Sequence, residues 1–465
     1  MNPDQNNVTS RRSLLKTAGS VAALSALGGV KLPAVHAAGS DTVQVSIVGC
    51  GGRGSGAAVQ AVSTKGPVKL VAMADAFTDR LNSSYDNISK SAPAGRIEVP
   101  ADRKFIGFDA YKHAMDVLKP GDVVILTTPP AFRWVHFTYA IQKGLNVFME
   151  KPVTVDGPSS RKMLKLGEEA SAKGLKVGVG LMSRHAPHLQ ELHDRVKNGE
   201  LGEILLMRGY RMHGPVASFQ STPKPANMDE LEYQIRRFHS FLWASGGCFN
   251  DFYIHHVDHL CWMKDAWPVK AQAVGGRHYK TTPEGVPFVD QNFDSYSVEY
   301  TFADGSKFYF DGRCMEGAEG IYSSYVHGTK GIGVAAQTGD YVGPSSIYKG
   351  QNMTPSARTW VSNDNTNPYQ NEWDTLMEAI RNDKPYNEVE RGVNASLTSN
   401  MGRLAAHSGM EITFQEMLNH DHEFAPNVDK LTKGSPAPLQ ADAKGMYPQP
   451  QPGRLGKREY REFKA

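Results

Sequence analysis

The segment Val43-Gln44-Val45-Ser46-Ile47-Val48 runs directly into Gly49-Cys50-Gly51-Gly52-Arg53-Gly54, and Ala57 to Val62 beyond it has helical character. A strand, a G-x-G-x-x-G turn and a helix in immediate succession constrain the fold more than any other feature of the chain. Gly49 permits the tight turn, Gly51 lets the backbone approach a pyrophosphate, and Gly54 lets helix and strand pack closely, with Gly52 and Arg53 carried in the loop between them. The pyrophosphate would sit on the helix N-terminus, where unpaired N–H groups and the helix dipole favour an anion. A second strand, Val68 to Ala74, ends at Asp75, 21 residues beyond Gly54. A carboxylate there accepts hydrogen bonds from the adenosine ribose hydroxyls and repels a 2′-phosphate, so NAD is the expected cofactor and NADP is disfavoured. Glycines serving only turn geometry would not require Asp75.

Further βα units follow: a strand from Asp122 to Leu126 ending in Thr127-Thr128-Pro129-Pro130, a helix from about Trp134 to Lys143, and a strand from Asn146 to Met149 ending in Glu150-Lys151-Pro152. A helix from Ser159 to Lys173 and a strand from Leu175 to Leu181 continue the alternation, which implies a doubly wound parallel sheet, a Rossmann domain over residues 38–184. The glycine loop, Asp75, Thr127-Thr128-Pro129 and Glu150-Lys151 all fall at strand C-termini, where ligands bind such sheets. From 185 to 425 the rhythm changes. A helix from Pro187 to Lys197 precedes strands such as Ile204 to Arg211, Val269 to Gly275, Ser295 to Phe302 and Ser306 to Arg313, joined by turns like Ala303-Asp304-Gly305. The expected fold class is therefore α/β: the Rossmann sheet plus a C-terminal α+β domain with an open, mainly antiparallel sheet.

Residues 1–37 read as an address. Arg11-Arg12, a modest Ala/Gly/Ser-rich apolar region and Val35-His36-Ala37 have the order of a twin-arginine export signal, which implies a periplasmic protein. That route carries folded proteins, so a cofactor bound in the cytoplasm is expected to be retained and recycled. Its longest apolar stretch, Val21 to Leu32, falls short of the roughly 20 residues of a membrane anchor. With 51 Lys and Arg against 48 Asp and Glu and no long basic run, the chain has no nucleic-acid footprint. Four cysteines are too few for a disulfide framework. Residues 426–465 are polar and Pro-rich, either an extended arm or a disordered terminus. An open sheet face needing cover argues for a homo-oligomer, dimer or tetramer.

In Gly246-Gly247-Cys248-Phe249-Asn250-Asp251-Phe252-Tyr253-Ile254-His255-His256-Val257-Asp258-His259, the residues Asp251, His255 and His259 share one helical face. Asp251 with His255 after Gly-Gly points to acid–base catalysis, while His256 and His259 read as structural. Spacing alone would allow zinc, but no HExxH or cysteine set supports it, and no metal is expected. Together these motifs resemble the Gfo/Idh/MocA family of sugar and cyclitol oxidoreductases. The glycine loop matches its first turn, Thr128-Pro129-Pro130 with His136 its Thr-Pro-x segment and downstream His, Glu150-Lys151-Pro152 its Glu-Lys-Pro signature, and Asp251 to Asp258 its second-domain helix. The resemblance implies Lys151, Asp251 and His255 as a catalytic triad around the nicotinamide, and His136 beside the cofactor. Departures are Asp251-Phe252-Tyr253 for Asp-x-Gly and Ser183-Arg184-His185 for a Gln-Arg-Arg type segment. Arg184 and His185 then join Lys151, Asp251 and His255 as expected substrate contacts. The implied function is NAD-dependent oxidation of a secondary hydroxyl of a sugar or sugar derivative. A redox-neutral glycosidase using bound NAD and a non-catalytic sugar binder are the alternatives.

Overall fold

The computed structural model describes residues 42–339 and 343–463, and the expected twin-arginine signal lies outside the described residues. Strands β1 (Val43–Val48), β2 (Val68–Asp75), β3 (Lys104–Ile106), β4 (Val123–Leu126), β5 (Asn146–Met149) and β6 (Val177–Val179) form one sheet in the order β3-β2-β1-β4-β5-β6. Every pair in it is parallel. Strands β4, β5 and β6 are buried at every residue, as apolar runs covered by helices on both faces must be. The strand order reverses between β1 and β4, and the register Val48 to Leu126 brings the glycine loop beside Thr127 at that switch point.

The second sheet has nine strands. These are β7 (Ile204–His213), β8 (Lys270–Gly276), β9 (Ser295–Thr301), β10 (Lys307–Cys314), β11 (Ile321–Gly328), β12 (Gly331–Ala336), β13 (Ser345–Lys349), β14 (Arg358–Ser362) and β15 (Ile412–Thr413). They run in the order β14-β13-β12-β11-β7-β10-β9-β8-β15. Only β7 and β10 pair in parallel, so the sheet is mixed and mainly antiparallel. Along β10, Phe308, Phe310 and Cys314 point into the core while Tyr309 stays 39% exposed, the alternation of a sheet with one solvated face.

The helix Val389–Ser408 lies between the two sheets and is buried on nearly all sides. Its glycines explain how. A Cβ at Gly392 would lie 3.0 Å from Val179 of β6, and one at Gly402 only 2.1 Å from the Tyr300 hydroxyl of β9.

Two segments depart from a simple division at residue 184. The helix Pro368–Arg381 returns to the first sheet, burying Trp373, Leu376, Met377 and Ile380 on one face, with Trp373 stacked on Phe148 of β5 at 4.4 Å. The tail beyond residue 426 has almost no regular structure yet packs on its own chain, with Leu439, Tyr447 and Tyr460 buried among Phe241 and Trp243. Its Glu459 meets Arg403 at 2.9 Å and His407 at 2.8 Å, all three fully buried. No described helix is long and apolar enough to cross a membrane.

Candidate active site

The glycine loop is shaped by contact. Gly49 has φ +100°, and a Cβ there would lie 2.6 Å from the Thr128 nitrogen, while a Cβ at Gly54 would lie 2.2 Å from the Gly49 carbonyl oxygen. Gly51 and Gly52 instead face open space at the start of the helix Gly52–Val62. Asp75, at the end of β2, braces this loop: the Cys50 N–H donates to its Oδ2 (2.6 Å) and the Phe77 N–H to its Oδ1 (2.8 Å). Burial pushes the Asp75 carboxyl up from its ordinary value, against those two bonds and the nearby Arg80. Gly49, Gly51, Gly52, Gly54, Asp75 and Phe77 line a cleft of about 310 Å³.

At the end of β4, the Thr127 hydroxyl donates to the Gly49 carbonyl, and Thr128 Oγ1 lies 3.2 Å from His136 Nδ1. Pro129 and His136 both line the cleft. Burial, reinforced by Arg133, pushes His136 down to about 3, so its ring is neutral at physiological pH. Arg53 reaches across to Glu150 (2.5 Å), tying the glycine loop to the Glu-Lys-Pro turn, and Gly180 leaves the space that the Glu150 carboxylate fills. Arg53 still lines the cleft, whereas Glu150 is 5% exposed.

The second set of groups comes from distant parts of the chain. Lys151 Nζ donates to the Asp251 carbonyl oxygen (2.7 Å) and lies 3.6 Å from its Oδ1, across 100 residues of sequence. Gly246 and Gly247 both adopt positive φ, which starts the helix Gly247–Phe252 abruptly and sets Asp251 in place. One residue, Tyr253, separates it from the helix Ile254–Lys264 that carries His255. His239 Nε2 lies 3.3 Å from Asp251 Oδ2. Although burial opposes it, Lys151 and His239, with His255 adding to them, hold the Asp251 carboxyl well below the usual carboxylate range. Asp251 is therefore an anion.

The remaining residues singled out in the sequence lie elsewhere. Arg184 is held by Asp258 through a two-pronged pair (3.0 and 2.7 Å), and His185 lies 3.6 Å from Glu388. Like Lys151, Asp251 and His255, neither is among the residues that line the glycine-loop cleft. His259 bonds Ser324 (2.8 Å) and His256 packs against Phe310 and Tyr322. Among the described residues no group of three or more His, Cys, Asp or Glu is placed to hold a metal.

Sequence reasoning missed Arg80 and, above all, the wall formed by Ile235, Phe238 and His239, which closes the cleft from the second half of the chain. The stretch 214–245 has no periodicity that would single it out. Its only signal is the Arg-Arg-Phe-His cluster at 236–239.

Residues 189–333 match the GFO/IDH/MocA C-terminal domain. The chain is 29% identical over 149 residues to inositol 2-dehydrogenase of Corynebacterium glutamicum (strain R), a stretch covering 31% of this chain and under half, 44%, of that protein. It is 26% identical over 348 residues to inositol 2-dehydrogenase of Rhizobium meliloti (strain 1021), covering 73% of this chain and 89% of that one. The crystal structure of scyllo-inositol dehydrogenase from Lactobacillus casei with bound cofactor NAD(H) and scyllo-inositol shares the fold. It matches 81% of this chain and 100% of its own at TM-score 0.58 and 18% identity.

Proposed function

We propose that this chain, which carries a GFO/IDH/MocA C-terminal domain behind a doubly wound parallel sheet, is an NAD-dependent oxidoreductase. Its substrate is a secondary hydroxyl of a sugar or sugar derivative, inositols included, and its cofactor stays bound between turnovers. The observation that carries this reading is the meeting of Lys151 and Asp251 beside the wall of a glycine-loop cleft. The residues fit a dinucleotide: Gly51 and Gly52 leave room at a helix N-terminus for a pyrophosphate, and each Asp75 oxygen keeps a lone pair for a ribose hydroxyl.

When bound, the nicotinamide supplies the hydride acceptor. Lys151 has three N–H donors and spends one on the Asp251 carbonyl, so another can meet the substrate oxygen and stabilise negative charge on it. His255 takes the hydroxyl proton on its imidazole, whose natural range suits a base near neutral pH. Asp251, anionic throughout, holds Lys151 in position. The closing wall of Ile235, Phe238 and His239 supports retention of the cofactor, which export in folded form would require. The solvated face of the nine-stranded sheet, where Val274 and Tyr309 are exposed, is the proposed surface for self-association.

Mass spectrometry of the nucleotide released on denaturation, followed by a sugar and inositol panel read at the nicotinamide absorbance, tests the reading. NAD released from the protein and reduced in place by a sugar is the expected result. Protein that neither carries nor reduces a dinucleotide overturns it. Glycoside cleavage with no net reduction would replace it with the redox-neutral cycle.

A further inference from the structure

The Asp251 carboxylate is shared. Its Oδ1 faces Lys151 at 3.6 Å and its Oδ2 faces His239 at 3.3 Å. His255, on the helix that follows, and Arg133, the first residue of the helix Arg133–Gln142, also act on it. Of these groups only His239 lines the dinucleotide cleft as well.

The His239 ring is fixed on every side. Nδ1 lies 2.9 Å from the Ser218 hydroxyl, and the Ser218 carbonyl is itself bonded by the Ser240 hydroxyl. One face stacks on Phe252 (centroids 5.2 Å apart, planes 17° apart), and Phe238 packs against the ring at 3.8 Å. With Nε2 facing a carboxylate, Nε2–H donates to Asp251 and Nδ1 accepts from Ser218 in the neutral ring.

We propose that His239 is a positioning residue of this site: it holds one oxygen of Asp251 so that the other orients Lys151, where the second half of the chain closes on the cofactor cleft. The proposal rests on the dehydrogenase reading above. Without His239, both carboxylate oxygens are free to turn to Lys151 and draw its ammonium away from the substrate oxygen. The loss then falls on turnover rather than on substrate binding.

The test compares His239→Ala with His239→Gln, whose side-chain amide can still donate to Asp251. In His239→Ala, kcat should fall about 10- to 100-fold with substrate KM within about threefold. His239→Gln should keep kcat within about threefold. Wild-type kcat in His239→Ala, or a Gln variant as impaired as the Ala variant, overturns the proposal. Should His239→Ala fail to fold, Ser218→Ala frees the ring from its other end. It must lower kcat while leaving substrate KM within about threefold, and a wild-type kcat overturns the proposal equally. Wild-type protein that binds no NAD and oxidises no sugar overturns the dehydrogenase reading instead.

Discussion

At the glycine-loop end of the site the constraints are carried by the backbone, whereas around Asp251 they are carried by charged side chains. Gly49 and Gly54 are where they are because strand, turn and helix touch there, and even Asp75 spends its carboxylate on two backbone N–H groups. Lys151 and His239, both part-exposed, meet the buried Asp251 in a cluster drawn from three separate stretches of chain. The first end fails by steric exclusion and the second by loss of charge balance. The two should therefore respond differently to substitution.

The largest expected effect is at Gly54. Gly54→Val pushes a side chain into the Gly49 carbonyl and Thr127, and should cost about 3 kcal/mol or more of stability and abolish dinucleotide binding. Gly51→Ala, whose Cβ would meet nothing nearer than 4.0 Å, should leave the melting temperature within about 2 °C while weakening the dinucleotide about tenfold. Thermal unfolding and calorimetric titration read both, and identical behaviour breaks the steric account.

Next in size is Lys151→Met. It should lower single-turnover reduction about 10²- to 10³-fold while dinucleotide affinity stays within about threefold. Equal losses in both would erase the distinction between the two ends.

The smallest effect sharpens the comparison at a third place, the tail. Burial opposes ionisation of Glu459, but Arg403 and then His407 hold its carboxyl down to about 2. Burial pushes His407 itself down, so Arg403 carries the counter-charge. A folded-state value below the unfolded one, about 4.3, gives stability that is full above that pH and is lost as pH falls towards 2. Glu459→Gln should cost about 1–3 kcal/mol at pH 7, and its deficit should shrink below about pH 4.5. Urea unfolding at pH 7, 4 and 3 measures this, and a deficit independent of pH contradicts the pairing.

The same contrast explains what could be read from the sequence. Backbone geometry imposes residue types at fixed spacing, so Gly49, Gly51, Gly54 and Asp75 announce the parallel sheet and its cleft. The alternation in β10 likewise announces the second sheet. The helix Pro368–Arg381 goes unread, and nothing local in its sequence says which sheet its Trp373 will meet. The tail reads as Pro-rich because its anchors, Leu439, Tyr447 and Tyr460, are too widely spaced to form a pattern. His239 is invisible for a related reason: its partner Asp251 lies in another segment, and that pairing exists only after the chain has closed.

The tail also bears on the order of events during synthesis. The Gln234 side chain donates to the Leu439 carbonyl, 205 residues downstream, and Tyr447 bonds Glu230, so the segment that walls the cleft is fastened by residues made long after it. The parallel sheet can assemble on a growing chain as domains generally do. Arg236 already ties that segment to Asp79, but its bonds to residues 439 and 447 form only after those residues are made, so this part of the wall is completed later than the parallel sheet.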